Sequence, residues 1–155
     1  MRLNRHSLIF LAAGGSAALL LAAFAFQHLG DMAPCKLCLW QRWPHGAAIV
    51  LGVFALAVPG RVFPLLGMLA ALGTAAIAGY HTGVERKWWE GPSSCTSGGT
   101  SGVSADELFE QIMAAPLVRC DEVPWDLLGL SMASWNGIVA LVLALLWAMA
   151  ARARV

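Results

Sequence analysis

The sequence predicts an all-α membrane protein: a four-helix transmembrane bundle with two loops on its outer side and a short interfacial helix in the second loop. Three observations lead there. Of the 155 residues, 59% are hydrophobic and only 12% charged, too little polar surface for a water-soluble domain of that size. Apolar runs of about bilayer length recur along the chain. The short polar pieces that flank them hold Arg2, Arg5, Arg61, Arg152 and Arg154 and no acid, whereas every acidic residue falls within 31–42 or 81–126. Positive charge in short flanks marks the cytoplasmic side, which puts both termini and the Arg61 turn there and the loops at about 30–43 and 81–131 outside. Nothing in this pattern resembles a nucleic-acid-binding stripe.

Helix 1 is expected over about 7–28. The run Ser7–Phe26 is about 20 residues, which suits a span better than the shorter apolar core of a signal peptide. Gln27-His28-Leu29-Gly30-Asp31 follows it in place of a small-residue cleavage site, so the helix is read as retained. Helix 2, counted from Pro44, has only about 15 residues, short of a span. Extended upstream through Cys38, with a first turn bent where the Pro44 ring meets the Trp40 carbonyl, it covers about 38–58. Val58-Pro59-Gly60-Arg61 turns into helix 3, about 62–80, and helix 4 runs from about 132 to 150. In the long loop, Ser93–Gly102 is rich in Gly and Ser and reads as linker. Ser104-Ala105-Asp106-Glu107 then forms a capping box. Leu108 with Ile112 and Phe109 with Met113 recur at helical spacing, for a helix lying on the membrane interface or packed on the bundle. Trp40, Trp43, Trp88, Trp89, Trp125 and Trp135 gather near the outer boundary as an anchoring belt.

Cys35, Cys38, Cys95 and Cys120 lie in the outer loops, on the side where disulfides persist. Four cysteines allow three pairings. Cys35-Lys36-Leu37-Cys38 has the C-x-x-C spacing of redox dithiols, which leaves Cys95 with Cys120; a rearranged Cys35–Cys120 bond stays open as a resting pattern. So short a ring crosslinks almost nothing, and its use is redox rather than stapling. Two other uses compete. A four-thiolate zinc site arrives as two close pairs, and Cys95 and Cys120 are far apart in sequence. A purely structural Cys95–Cys120 crosslink is the stronger rival. Against it stands the Gly/Ser stretch beside Cys95, because a sulfur that meets another protein and then Cys35 needs a mobile carrier. If helix 2 begins near Cys35, the free N–H groups of its first turn and the positive charge of Arg42, one turn on, favour a thiolate at Cys38. Arg42 has a bland alternative as a cation reaching lipid phosphates.

Pro34-Cys35-Lys36-Leu37-Cys38-Leu39-Trp40-Gln41-Arg42 resembles the P-C-x-L-C-x-x-Q/E-R signature of the bacterial DsbB (disulfide bond formation protein B) family. Cys120 followed by Trp125-Asp126-Leu127-Leu128-Gly129-Leu130-Ser131-Met132-Ala133-Ser134-Trp135 is similar to that family's second conserved segment. The likeness covers nearly the whole chain. It implies a thiol:quinone oxidoreductase of the bacterial inner membrane with its cysteine loops in the periplasm. A periplasmic DsbA-type thioredoxin-fold oxidase would attack Cys95, freed Cys120 would attack Cys35, and Cys38 would pass two electrons to a quinone, ubiquinone or menaquinone, held near Arg42. His81 matches a histidine that the family places near the quinone. His28 and His45 have no such match and stay outside the expected site, and Pro44 is no part of the signature.

Overall fold

The computed structural model describes residues 4–92, 95, 104, 106, 109, 110, 113 and 118–153. Four long helices dominate: α1 Arg5–His28, α2 Lys36–Ala57, α3 Val62–Glu85 and α4 Met132–Arg152. α1 starts where the Asn4 side chain accepts a hydrogen bond from the Ser7 N–H at 2.8 Å, and α4 where Ser131 does the same for Ser134. Such caps satisfy donors that a helix start leaves free. Each helix packs chiefly against two others, α1 on α2 and α4, α3 on α2 and α4, so the four close into a ring. The outward faces carry Phe10, Leu21, Val53, Leu69, Leu141 and Leu145, all exposed. That is the surface of a bundle solvated by lipid.

α1, α3 and α4 are each long and apolar enough to cross a membrane. α2 has 22 residues, about 33 Å at 1.5 Å per residue, but its first half contains Gln41, Arg42 and His45, which lower its hydropathy. It starts at Lys36 rather than at Cys38 because Cys35 caps it. It also runs unbroken through Pro44. α3 extends past Tyr80 to Glu85, so His81 lies within a helix. The interfacial helix expected after Ser104 lies for the most part outside the described residues.

At the end away from the cysteines, Leu8, Ile9, Ala12, Ala55, Ala71, Leu143 and Ala144 surround Trp147. Arg5, buried, donates to the carbonyls of Gly60 at 2.9 Å and Val58 at 3.4 Å and so ties the α2–α3 turn to α1. Gly60 sits at φ +128°, with open space where a Cβ would go. Only the backbone conformation therefore resists a side chain there. Gly60→Ala is expected to cost about 1–3 kcal/mol in a denaturation midpoint series, and an unchanged midpoint would contradict the strain.

Before α4 the chain forms a small hairpin, β1 Asp126–Leu127 pairing antiparallel with β2 Leu130–Ser131. Its two-residue turn, Leu128 at φ 56° and Gly129 at φ 74°, is of the kind whose twist matches paired strands.

Candidate functional site

The outer ends of α2 and α3 meet the second loop around four sulfur atoms. Cys35 is the N-cap of α2, and its Sγ accepts the Cys38 N–H at 3.2 Å. Cys38 is therefore in the first turn, three residues inside the cap. The two sulfurs are 2.7 Å apart and both residues are free cysteines. Cys95 and Cys120 form a disulfide with Cα atoms 5.3 Å apart, and the Cys120 N–H also bonds the Cys95 carbonyl at 2.8 Å. The Cys35, Cys95 and Cys120 sulfurs all lie within 4.8 Å of one another. A continuous run of sulfur thus leads from the Cys95–Cys120 bond through Cys35 to Cys38. Hydrogen bonding to Cys38 and burial push the Cys35 thiol above its ordinary pKa, so when the pair gives up one proton Cys35 keeps the other.

Cys38 borders a cavity of about 450 Å³ lined by all four helices and the segment 118–127, with a mostly apolar wall that includes Leu19, Phe26, Met132 and Val139. Its polar side is a connected network. Gln41 Nε2 donates to the Leu37 carbonyl at 3.2 Å and approaches His81 Nδ1 at 2.9 Å, while Asn136 Nδ2 donates to Gln41 Oε1 at 2.7 Å. The Leu37 carbonyl only accepts, which fixes the orientation of the Gln41 amide. His81 Nδ1 is then an acceptor, and neutral His81 carries its proton on Nε2. That nitrogen lies 3.6 Å from the Cys35 sulfur and 3.8 Å from Glu85 Oε1. Glu85 is in turn held by the Ser131 hydroxyl. Cys35, Cys38 and His81 could together ligate a metal by distance, but a nitrogen that points a proton at the sulfur offers no lone pair.

The model of the family described as "Disulfide bond formation protein DsbB" matches residues 5–150. The chain belongs to the DsbB family. It is 35% identical over 126 residues to disulfide bond formation protein B of Methylococcus capsulatus, covering 77% of each chain. It is 30% identical over 170 residues to that of Stutzerimonas stutzeri, covering 95% of this chain and 96% of the other. Disulfide bond formation protein B 2 of Pseudomonas aeruginosa is 34% identical over 140 residues, 81% of this chain and 78% of the other. No solved structure matches the chain.

Within this DsbB-family chain, every site residue expected from sequence lies around the sulfur run or the cavity. Arg42 borders the cavity and is tied to α1, donating to Gln27 Oε1 at 2.7 Å and Ala23 O at 3.4 Å with its guanidinium 4.8 Å over the Phe24 ring. Cys95, read from sequence as a mobile carrier, is buried in this state, and neither it nor Cys120 has exposed surface. Arg119, paired with Asp121 at 2.7 Å, flanks Cys120. Four polar residues of the site received no role from sequence: Gln41, His45, Glu85 and Asn136. Glu85 carried a usable signal, since it follows His81 by four residues and so shares its helix face. Asn136 carried none, because it meets Gln41 across 95 residues of chain.

Proposed function

We propose that this protein spans the bacterial inner membrane four times, with both termini cytoplasmic and the cysteine loops periplasmic. There it works as a thiol:quinone oxidoreductase that reoxidises a DsbA-type thioredoxin-fold oxidase. The observation that carries this reading is the run of sulfurs that ends, at Cys38, on an apolar cavity. The cavity suits a quinone headgroup. Its volume is within the range of small-molecule sites and its few polar groups converge on one side. Arg42 supplies donors suited to a ring oxygen, and His81, whose Nε2–H faces Cys35 and Glu85, borders the same cavity. A quinone held there would supply a sink for two electrons and two protons.

The residues of the chain do the rest by thiol–disulfide exchange. A partner thiolate attacks Cys95 and displaces Cys120. The Cys120 thiolate attacks Cys35 of a closed Cys35–Cys38 bond, expelling Cys38 as a thiolate beside the cavity. The partner's second cysteine then releases the oxidised partner and frees Cys95. Cys95 takes Cys120 back from Cys35, which leaves a Cys95–Cys120 disulfide and a Cys35/Cys38 dithiol. Two electrons have moved from partner to inner pair, one bond has been exchanged at each step, and each displaced sulfur leaves as a thiolate. His81 faces Cys35 with its Nε2–H and can donate to that sulfur at the moment Cys120 leaves it. Arg42, anchored by Gln27 and Phe24, holds positive charge at the cavity wall.

Purified protein with its inner pair reduced is expected to develop a visible absorbance band when ubiquinone is added, and to lose it in Cys38→Ser. No band in the unaltered protein would count against the quinone reading. Arg42→Ala is expected to raise the KM for quinone about tenfold, the worth of one charged hydrogen bond, with exchange at Cys95 unchanged. An unaltered quinone KM removes Arg42 from the site.

A further inference from the structure

His45 lies one turn after Gln41 on α2, is 3% exposed and borders the same cavity. Its Nε2 is 3.0 Å from Asn136 Oδ1. Asn136 uses its NH₂ group on Gln41 Oε1, so the atom facing His45 is the oxygen, which only accepts. Neutral His45 therefore carries its proton on Nε2, and Nδ1 presents a lone pair. That Nδ1 is buried and has no hydrogen-bond partner among the described residues. A buried acceptor without a donor is destabilising, and in an apolar bundle a ligand in the cavity is the natural source of one. The same backbone carbonyl, that of Leu37, fixes both histidines through the two amides. His81 is set as a donor and His45 as an acceptor.

We propose that His45 Nδ1 accepts a hydrogen bond from the hydroxyl of a reduced headgroup, so that the cavity tells quinol from quinone. This rests on the quinone reading of the cavity. A quinone oxygen has no proton to offer and sets its lone pairs against that of Nδ1. A quinol hydroxyl donates. Asn136 is the positioning residue that holds the acceptor tautomer, and electron transfer stays at Cys38.

The test is binding of ubiquinol-1 and of ubiquinone-1, each by calorimetry under anaerobic conditions, to the full chain in nanodiscs with its disulfides closed. His45→Gln keeps an N–H for Asn136 near the Nε2 position and removes the δ acceptor. It is expected to weaken quinol binding about tenfold and to leave quinone binding unchanged or tighter. His45→Asn, which keeps an acceptor near the δ position, is expected to retain most of the quinol affinity. ¹⁵N NMR of the imidazole should report the Nε2–H form, with the Nδ1 signal moving when quinol is added and not when quinone is. Unaltered quinol affinity in His45→Gln, or equal loss for both ligands, overturns the proposal while leaving the quinone reading standing. An unaltered protein that binds neither ligand overturns both.

Discussion

Cys120→Ser is expected to abolish oxidation of a soluble thioredoxin-fold partner, by roughly a thousandfold or more, as when a nucleophile is deleted. A serine hydroxyl can neither form the Cys95 disulfide nor attack Cys35. The variant removes the sulfur to which Cys95 is bonded, so the freed Cys95 thiol is open to exchange with the partner's disulfide. A mixed disulfide through Cys95 should accumulate on non-reducing gels. Cys120 lies within 4.8 Å of the Cys35 sulfur, close enough that transfer inward needs only small movements. If no Cys95-linked species accumulates, or if the partner is captured through Cys35 or Cys38, the carrier role of Cys95 is wrong. Sustained turnover would remove the relay as a whole.

Trp147→Ala is expected to destabilise the bundle by about 3–5 kcal/mol, the usual range for a buried Trp replaced by Ala. Trp147 has no exposed surface. It lies against Gly67, where an added Cβ would stand 2.7 Å from the indole, and its ring tip is 3.7 Å from the Cβ position of Gly52. Its indole N–H has no partner among the described residues, so the loss is one of packing and cavity rather than of a hydrogen bond. Lipid is as apolar as the helix interior, which leaves close van der Waals contact as the main force holding such helices together. Gly67→Leu should fail by the opposite route, overfilling the same seam. Denaturation of the detergent-solubilised protein measures both. Stability equal to the unaltered chain in both variants would show that the seam is not the packing centre. Reactivity of Cys38 should change little in Trp147→Ala, since the indole is at the other end of the helices.

The helices were legible because apolar runs of bilayer length are a coarse, additive signal that no single residue can hide. α2 was the hard case for a physical reason: Gln41, Arg42 and His45, the polar residues that face the cavity, are what make it look too short and too polar. The spacing of Cys35 and Cys38 left Cys95 to Cys120 but kept a Cys35–Cys120 bond open; the structure has the Cys95–Cys120 bond. The burial of Cys95 was not legible, since neighbouring Gly and Ser speak for a mobile chain and say nothing of the pocket its sulfur occupies. The hairpin was also missed. Its turn sets Leu128 at positive φ, a conformation that a bulky residue adopts only when its surroundings hold it there. Gln41 was visible as part of a motif, but its work depends on Asn136 and His81, brought to it by tertiary packing alone.

The sealed state of the Cys95–Cys120 bond has a consequence for selectivity. Thiol–disulfide exchange needs a thiolate to approach one sulfur along the axis of the bond, and neither sulfur here presents any surface to solvent. On the proposed relay, small thiols diffusing past are therefore kept from the bond, much as a sheath keeps current in a wire. On that relay, a molecule reaches the bond by in-line attack only if it parts the packing of Leu37, Val84 and Val118 around it. Discrimination among thiols then lies in the rate of that opening rather than in the redox potential of the couple.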